Sequence, residues 1–124
     1  MKSKIKLAFV DDNIVQQFLV KTLVERMGIY EILFICKNGL ELLDELACAV
    51  ALPEICILDL NMPIMSGKLT AQEISERFPT IKVFAYTSTD DPREVAMLKE
   101  HGVLKVFNKK NPASMLNEIS LLIN

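Results

Sequence analysis

The chain has 124 residues, 51% apolar and 24% charged, with a formal net charge of −2 and a pI near 5.4. That is the size of one ordinary domain with enough apolar side chain for a real core, and it excludes a disordered or low-complexity chain. It also argues against broad electrostatic binding of nucleic acid, which needs a basic face, and no apolar run approaches the roughly 18–20 residues of a membrane span.

Taken in chain order, the start Met1-Lys2-Ser3-Lys4 is basic, but the apolar run behind it stops at Asp11, too soon for a secretory leader. Residues 5–10 read as a strand. Asn13 then caps a helix whose apolar positions Ile14, Phe18, Leu19, Leu23 and Met27 follow helical spacing, with Gly28 as its stop. Tyr30 to Cys36 is a second strand. Asn38-Gly39 has the form of a hairpin turn, yet Leu40, Leu43, Leu46 and Ala47 recur at helical spacing, so Asn38 is better read as a cap. Pro53 breaks the chain before a third strand at 54–59, and a helix runs from about Gly67 to Arg77. Ile81 to Thr87 forms the fourth strand. Asp91-Pro92-Arg93-Glu94 carries a capping acid, a proline at the first helical position and a reciprocating glutamate. Gly102 stops that helix, 103–108 is the fifth strand, and Asn111-Pro112 opens a last helix with Met115, Leu116, Ile119, Leu122 and Ile123 on its apolar face.

Five strand–helix pairs with short links imply parallel strands joined by right-handed crossovers. Continuous apolar runs such as Ile55-Cys56-Ile57-Leu58 suit strands covered on both faces. The expectation is one doubly wound α/β domain over residues 1–124, with no output domain in the chain. The three cysteines, Cys36, Cys48 and Cys56, lack metal-ligand spacing and read as ordinary thiols. A cytoplasmic chain is expected.

The residues that carry chemistry sit where strands end. Asp11-Asp12 closes the first strand, Asp59 the third, and Lys109 follows the fifth. In an open parallel sheet all strand carboxyl ends share one edge, so three carboxylates and an ammonium meet there. Clustered carboxylates repel unless a hard cation such as Mg²⁺ joins them. Asp59 is then either a metal-assisted nucleophile or a plain metal ligand. Each residue also has a plain reading: a cap for Asp11, a surface acid for Asp12, a loop acid for Asp59, a strand-end hydroxyl for Thr87 and a solvated charge for Lys109. His101, before Gly102, suits a helix C-terminus better than a catalytic base.

Val10-Asp11-Asp12-Asn13, then Ile57 to Gly67 with Asp59, Met62-Pro63 and Gly67 at fixed offsets, then Thr87 and Lys109, resemble the receiver domain of two-component response regulators. The resemblance spans essentially the whole chain in order. It implies a flavodoxin-like five-stranded parallel sheet, strand order 2-1-3-4-5, with five helices. It implies that Asp59 accepts a phosphoryl group from a sensor histidine kinase or a histidine phosphotransfer protein. It further implies that Asp12, Asp59 and the backbone carbonyl of Asn61 ligate Mg²⁺ or Mn²⁺ with Asp11 assisting through water, and that Thr87 and Lys109 engage the phosphoryl oxygens. Such a receiver catalyses its own phosphorylation and hydrolysis, acts on a downstream protein, and in this family often pairs with a second copy through the last strand and helix; the charge balance leads us to expect no direct nucleic-acid partner.

The chain departs from that pattern at several places. Lys110 stands where the family usually has a cis proline; a cis bond there would cost about 2.5–4 kcal/mol, which leaves the aim of Lys109 open. Ser88 and Thr89 follow Thr87 where a small residue is more usual, and are expected to tune dephosphorylation. Val106 replaces the aromatic that normally couples to the threonine, while Phe107 and Tyr86 fall on the opposite strand face. Three other readings stand beside the receiver. One is an aspartyl hydrolase, which wants a second acid where Asn61 stands. Another is a flavin module, whose phosphate Asp11-Asp12 would repel. The last is a receiver-shaped interaction module that works without phosphate.

Overall fold

The computed structural model describes residues 3–88 and 91–123, so the expectation for Thr89 lies outside the described residues. Strands and helices alternate as β1 (Ile5–Val10), α1 (Ile14–Met27), β2 (Tyr30–Cys36), α2 (Gly39–Cys48), β3 (Ile55–Asp59), α3 (Gly67–Arg77), β4 (Lys82–Thr87), α4 (Pro92–Glu100), β5 (Val103–Asn108) and α5 (Pro112–Ile123). The strands form one parallel sheet in the order β2-β1-β3-β4-β5.

Strand alternation divides the core in two. Ala8, Val10, Cys56, Leu58, Val83 and Ala85 face α2, α3 and α4, through Leu42, Leu46, Ala71, Ile74 and Leu98. Leu7, Phe9, Ile55, Ile57, Phe84 and Tyr86 face α1 and α5, through Val20, Val24, Met115, Leu116 and Ile119. Both faces of β3 are covered and all five of its residues are buried, which is why it reads as an unbroken apolar run.

The helix starts are local chemistry. The Asn13 side chain accepts from the backbone N–H of Val15 and Gln16, and Gly28, at φ 71°, ends α1 in the left-handed region. Asn38 accepts from Glu41 N–H at 2.8 Å, so Asn38-Gly39 opens a helix and is not a hairpin turn. Asp91 accepts from Arg93 N–H ahead of Pro92, and Asn111 accepts from Ser114 N–H at 3.0 Å.

The phase of three helices differs from the spacing-based expectation. On α1, Val20 and Val24 are buried and the expected Leu23 and Met27 pack beside them, while Ile14, Phe18 and Leu19 are exposed, Ile14 and Phe18 by more than 70%. Apolar and polar residues are interleaved around this helix, so its spacing fits more than one stripe and only the sheet selects one. On α2, Leu42 joins Leu43 and Leu46 in the core, and Leu40 and Ala47 face solvent. Leu122 on α5 is also exposed. Cys36 and Cys56 are buried in their strands and Cys48 is exposed; burial pushes the Cys36 thiol up to about 12 and Cys56 higher still.

Candidate functional site

The carboxyl ends of β1, β3, β4 and β5 bring the expected residues to one edge. The Asp11 N–H extends the ladder past β1 by donating to Cys36 at 3.0 Å, and the side-chain amide of Gln17 on α1 donates to the Asp11 carbonyl. The Asp11 carboxylate is fully buried; one oxygen accepts from Asn13 N–H at 2.9 Å and the other lies 3.4 Å from Lys109 Nζ. Asp59, only 3% exposed, closes β3. Its Oδ1 lies 2.9 Å from Lys109 Nζ and takes a long 3.4 Å bond from the N–H of Asn61. Asp12 is exposed, and the carboxylate oxygens of Asp11, Asp12 and Asp59 lie within 4.8 Å of one another.

Burial, reinforced by the Asp59 charge, pushes the Asp11 carboxyl above its usual range against the pull of the Asn13 N–H and Lys109. Burial alone would lower Lys109. Its hydrogen bond and charge pairing with Asp59, then with Asp11, outweigh that and leave it raised and charged. Three carboxylates against one ammonium leave excess negative charge at the rim, open to solvent through Asp12. An all-oxygen acidic set of this kind fits a hard divalent cation. A cation seated there would draw on these carboxylates and would keep several of its own waters.

The loop from Leu60 to Ser66 folds back over the end of β3. A Cβ on Gly67 would meet the Asp59 carbonyl oxygen at 2.5 Å, so only glycine allows that approach. Ile64 sits at φ 69°, and Met65 N–H donates to the Pro63 carbonyl at 2.7 Å, closing a tight positive-φ γ-turn around it.

The aim of Lys109 is settled without proline. No cis peptide bond occurs among the described residues, so Lys109–Lys110 is trans. Lys109 N–H donates to the Thr87 carbonyl at 3.0 Å, and Lys110 N–H donates to the Asn108 side chain at 2.8 Å, fixing the turn that carries the ammonium to Asp59. Thr87 is buried at the end of β4, in register with Asn108. Val106 packs with the α2–α4 side of the core and Phe107 with the α1–α5 side, as alternation requires.

Two residues of the site escaped the sequence reading. The Lys109 ammonium lies over the Tyr86 ring, 5.5 Å from its centroid, and the Tyr86 hydroxyl donates to Gln16 Oε1 at 2.8 Å. The signal was available. Tyr86 pairs with Phe107, and Lys109, two residues further on, keeps the side of the sheet to which Phe107 points.

Comparisons with known proteins identify the family and the fold. The description "Response regulator receiver domain" matches residues 7–120. The chain is 32% identical over 107 residues to a protein-glutamate methylesterase/protein-glutamine glutaminase of Methanospirillum hungatei, covering 85% of this chain and 30% of that one. It is 28% identical over 121 residues to two-component response regulator 24 of Arabidopsis thaliana, covering 98% and 84%. Among solved structures, the signal receiver domain of NarL from Mycobacterium tuberculosis shares the fold at TM-score 0.86 and 17% identity, covering 97% of this chain and 98% of that one. The chain spans only 30%, 24% and 39% of the length of three curated relatives, so the activities of those whole proteins do not transfer with the match.

Proposed function

This chain belongs to the response regulator receiver domain family of two-component systems, and from that premise we propose that it is a phosphoryl switch whose acceptor is Asp59. The observation that carries the reading is the Lys109 ammonium, 2.9 Å from Asp59 Oδ1 inside a trio of carboxylates. Phosphoryl transfer passes through a loose transition state with charge spread over the equatorial oxygens, so the protein contributes position and positive charge. Asp59 supplies the entering oxygen: its bond to phosphorus forms as the donor's phosphorus–nitrogen bond breaks, and the donor histidine takes up a proton. Lys109 moves from the free carboxylate to a phosphoryl oxygen, and the Thr87 hydroxyl donates to another. Asp11, Asp12, Asp59 and the Asn61 carbonyl would hold Mg²⁺ or Mn²⁺, which supplies further positive charge to the transferring group.

The donor is a sensor histidine kinase or a histidine phosphotransfer protein, and the output is a changed surface read by a downstream protein. The net charge of −2 and the acidic rim favour a protein target over direct nucleic-acid contact. No described helix is long and apolar enough to cross a membrane. A histidine kinase donor is the reason to propose a cytoplasmic location for this chain. Intact mass after incubation with Mg²⁺ and acetyl phosphate tests the reading. One phosphoryl group gained by the wild type, and none by Asp59→Asn or without the metal, is the expected result; equal gain in Asp59→Asn contradicts it.

A further inference from the structure

We propose that Tyr86 is a positioning residue for Lys109, holding the ammonium over the acceptor through its ring while Gln16 fixes the ring from α1. The inference rests on the phosphoacceptor reading and adds a residue that the shared family pattern does not require. Tyr86 is fully buried. Its ring lies 5.5 Å from Lys109 Nζ on one side and is tilted at 60° to the Phe9 ring, 5.9 Å between centroids, on another. Its hydroxyl donates to Gln16 Oε1 at 2.8 Å, and that donation enriches the ring in electrons. Burial and the Asp11 and Asp59 charges push the phenol up to about 12, so it stays a neutral donor.

Among the described residues Lys109 has three side-chain neighbours: Asp59 at 2.9 Å, Asp11 at 3.4 Å and the Tyr86 ring. Both carboxylates belong to the set that a cation or the phosphoryl group would claim. Of these three, the ring is the neighbour that neither a cation nor the phosphoryl group would claim. A lysine stem is flexible, and fixing it costs rotamer entropy. With Lys110 in place of a ring-constrained residue, a partly buried cation–π contact is the device that keeps Lys109 from following solvent once its carboxylates are taken.

Replacing Tyr86 with phenylalanine, then with mono-, di- and trifluorophenylalanine, weakens the ring's negative face stepwise at nearly constant shape. With acetyl phosphate and saturating Mg²⁺, we expect Tyr86→Phe, which loses the Gln16 bond but keeps the ring, to slow phosphorylation by about twofold. The rate then falls with each fluorine, and Tyr86→Leu falls roughly three- to tenfold. A rate flat across the fluorine series overturns the proposal. In the metal-free protein the ε-methylene protons of Lys109 should carry an upfield ring-current shift that persists in Tyr86→Phe and disappears in Tyr86→Leu. A wild type that takes no phosphoryl group contradicts the receiver reading instead. The ring-current shift then decides the contact alone, and an unshifted ε-methylene overturns it.

Discussion

At Asp11 the fold keeps a charge it would be more stable without. The carboxylate is fully buried beside Asp59, and burial raises its pKa above the unfolded value. A raised carboxyl destabilises the folded state at neutral pH, and that penalty fades as pH falls through the folded pKa towards the unfolded one. We therefore expect metal-free Asp11→Asn to be more stable than wild type at pH 7, with the gap closing as the solution is acidified and with Mg²⁺ affinity lost. Thermal unfolding across pH checks this, and a gap that widens on acidification would count against it. Ile64 is a second local cost. A β-branched side chain at φ 69° is strained, by about 1–3 kcal/mol, and with 78% of it exposed it recovers little by burial. Ile64→Gly should stabilise the fold by about 1 kcal/mol in urea unfolding. Asp59 and Lys109 were legible because strand ends announce them. The Tyr86 contact was harder to see, since an aromatic inside a strand reads first as core.

Among the elements, α1 shows where periodicity runs out. Its length, cap and glycine stop are plain in the sequence, yet its inward stripe is not, because apolar residues occupy both faces. Val24 is buried and Phe18 is 72% exposed, so Val24→Ala should cost about 2 kcal/mol. Phe18→Ser should stay within about 0.5 kcal/mol, both read by urea unfolding. β5 matters for the switch itself. Val106, in register with Ala85, cannot supply the rotating aromatic. We expect amide exchange with and without a beryllofluoride mimic to change in the loops after β3 and β4, with β5 and the adjoining face of α5 little altered. Strong new protection or exposure along β5 would show that an aromatic-type rearrangement operates after all.

For the molecule as a whole, the alternation of elements and the double-sided burial of β3 were enough to expect a doubly wound sheet. The order β2-β1-β3-β4-β5 came from resemblance, since spacing alone does not order strands. That order puts β1 and β3 side by side at the centre, and so sets Asp11, Asp12 and Asp59 together at the point where crossovers change direction. β5 lies beyond β4 at the sheet edge, and the reach of Lys109 back to Asp59 closes the site from that side. The account thus makes Asp59 the one acceptor in a site assembled by topology. The most direct test is to phosphorylate the protein with acetyl phosphate and Mg²⁺, reduce the acyl phosphate with borohydride, and map the product by peptide mass spectrometry. The account predicts homoserine at position 59 and nowhere else. Homoserine at position 11 or 12, or phosphate found on a hydroxyl side chain, would contradict it.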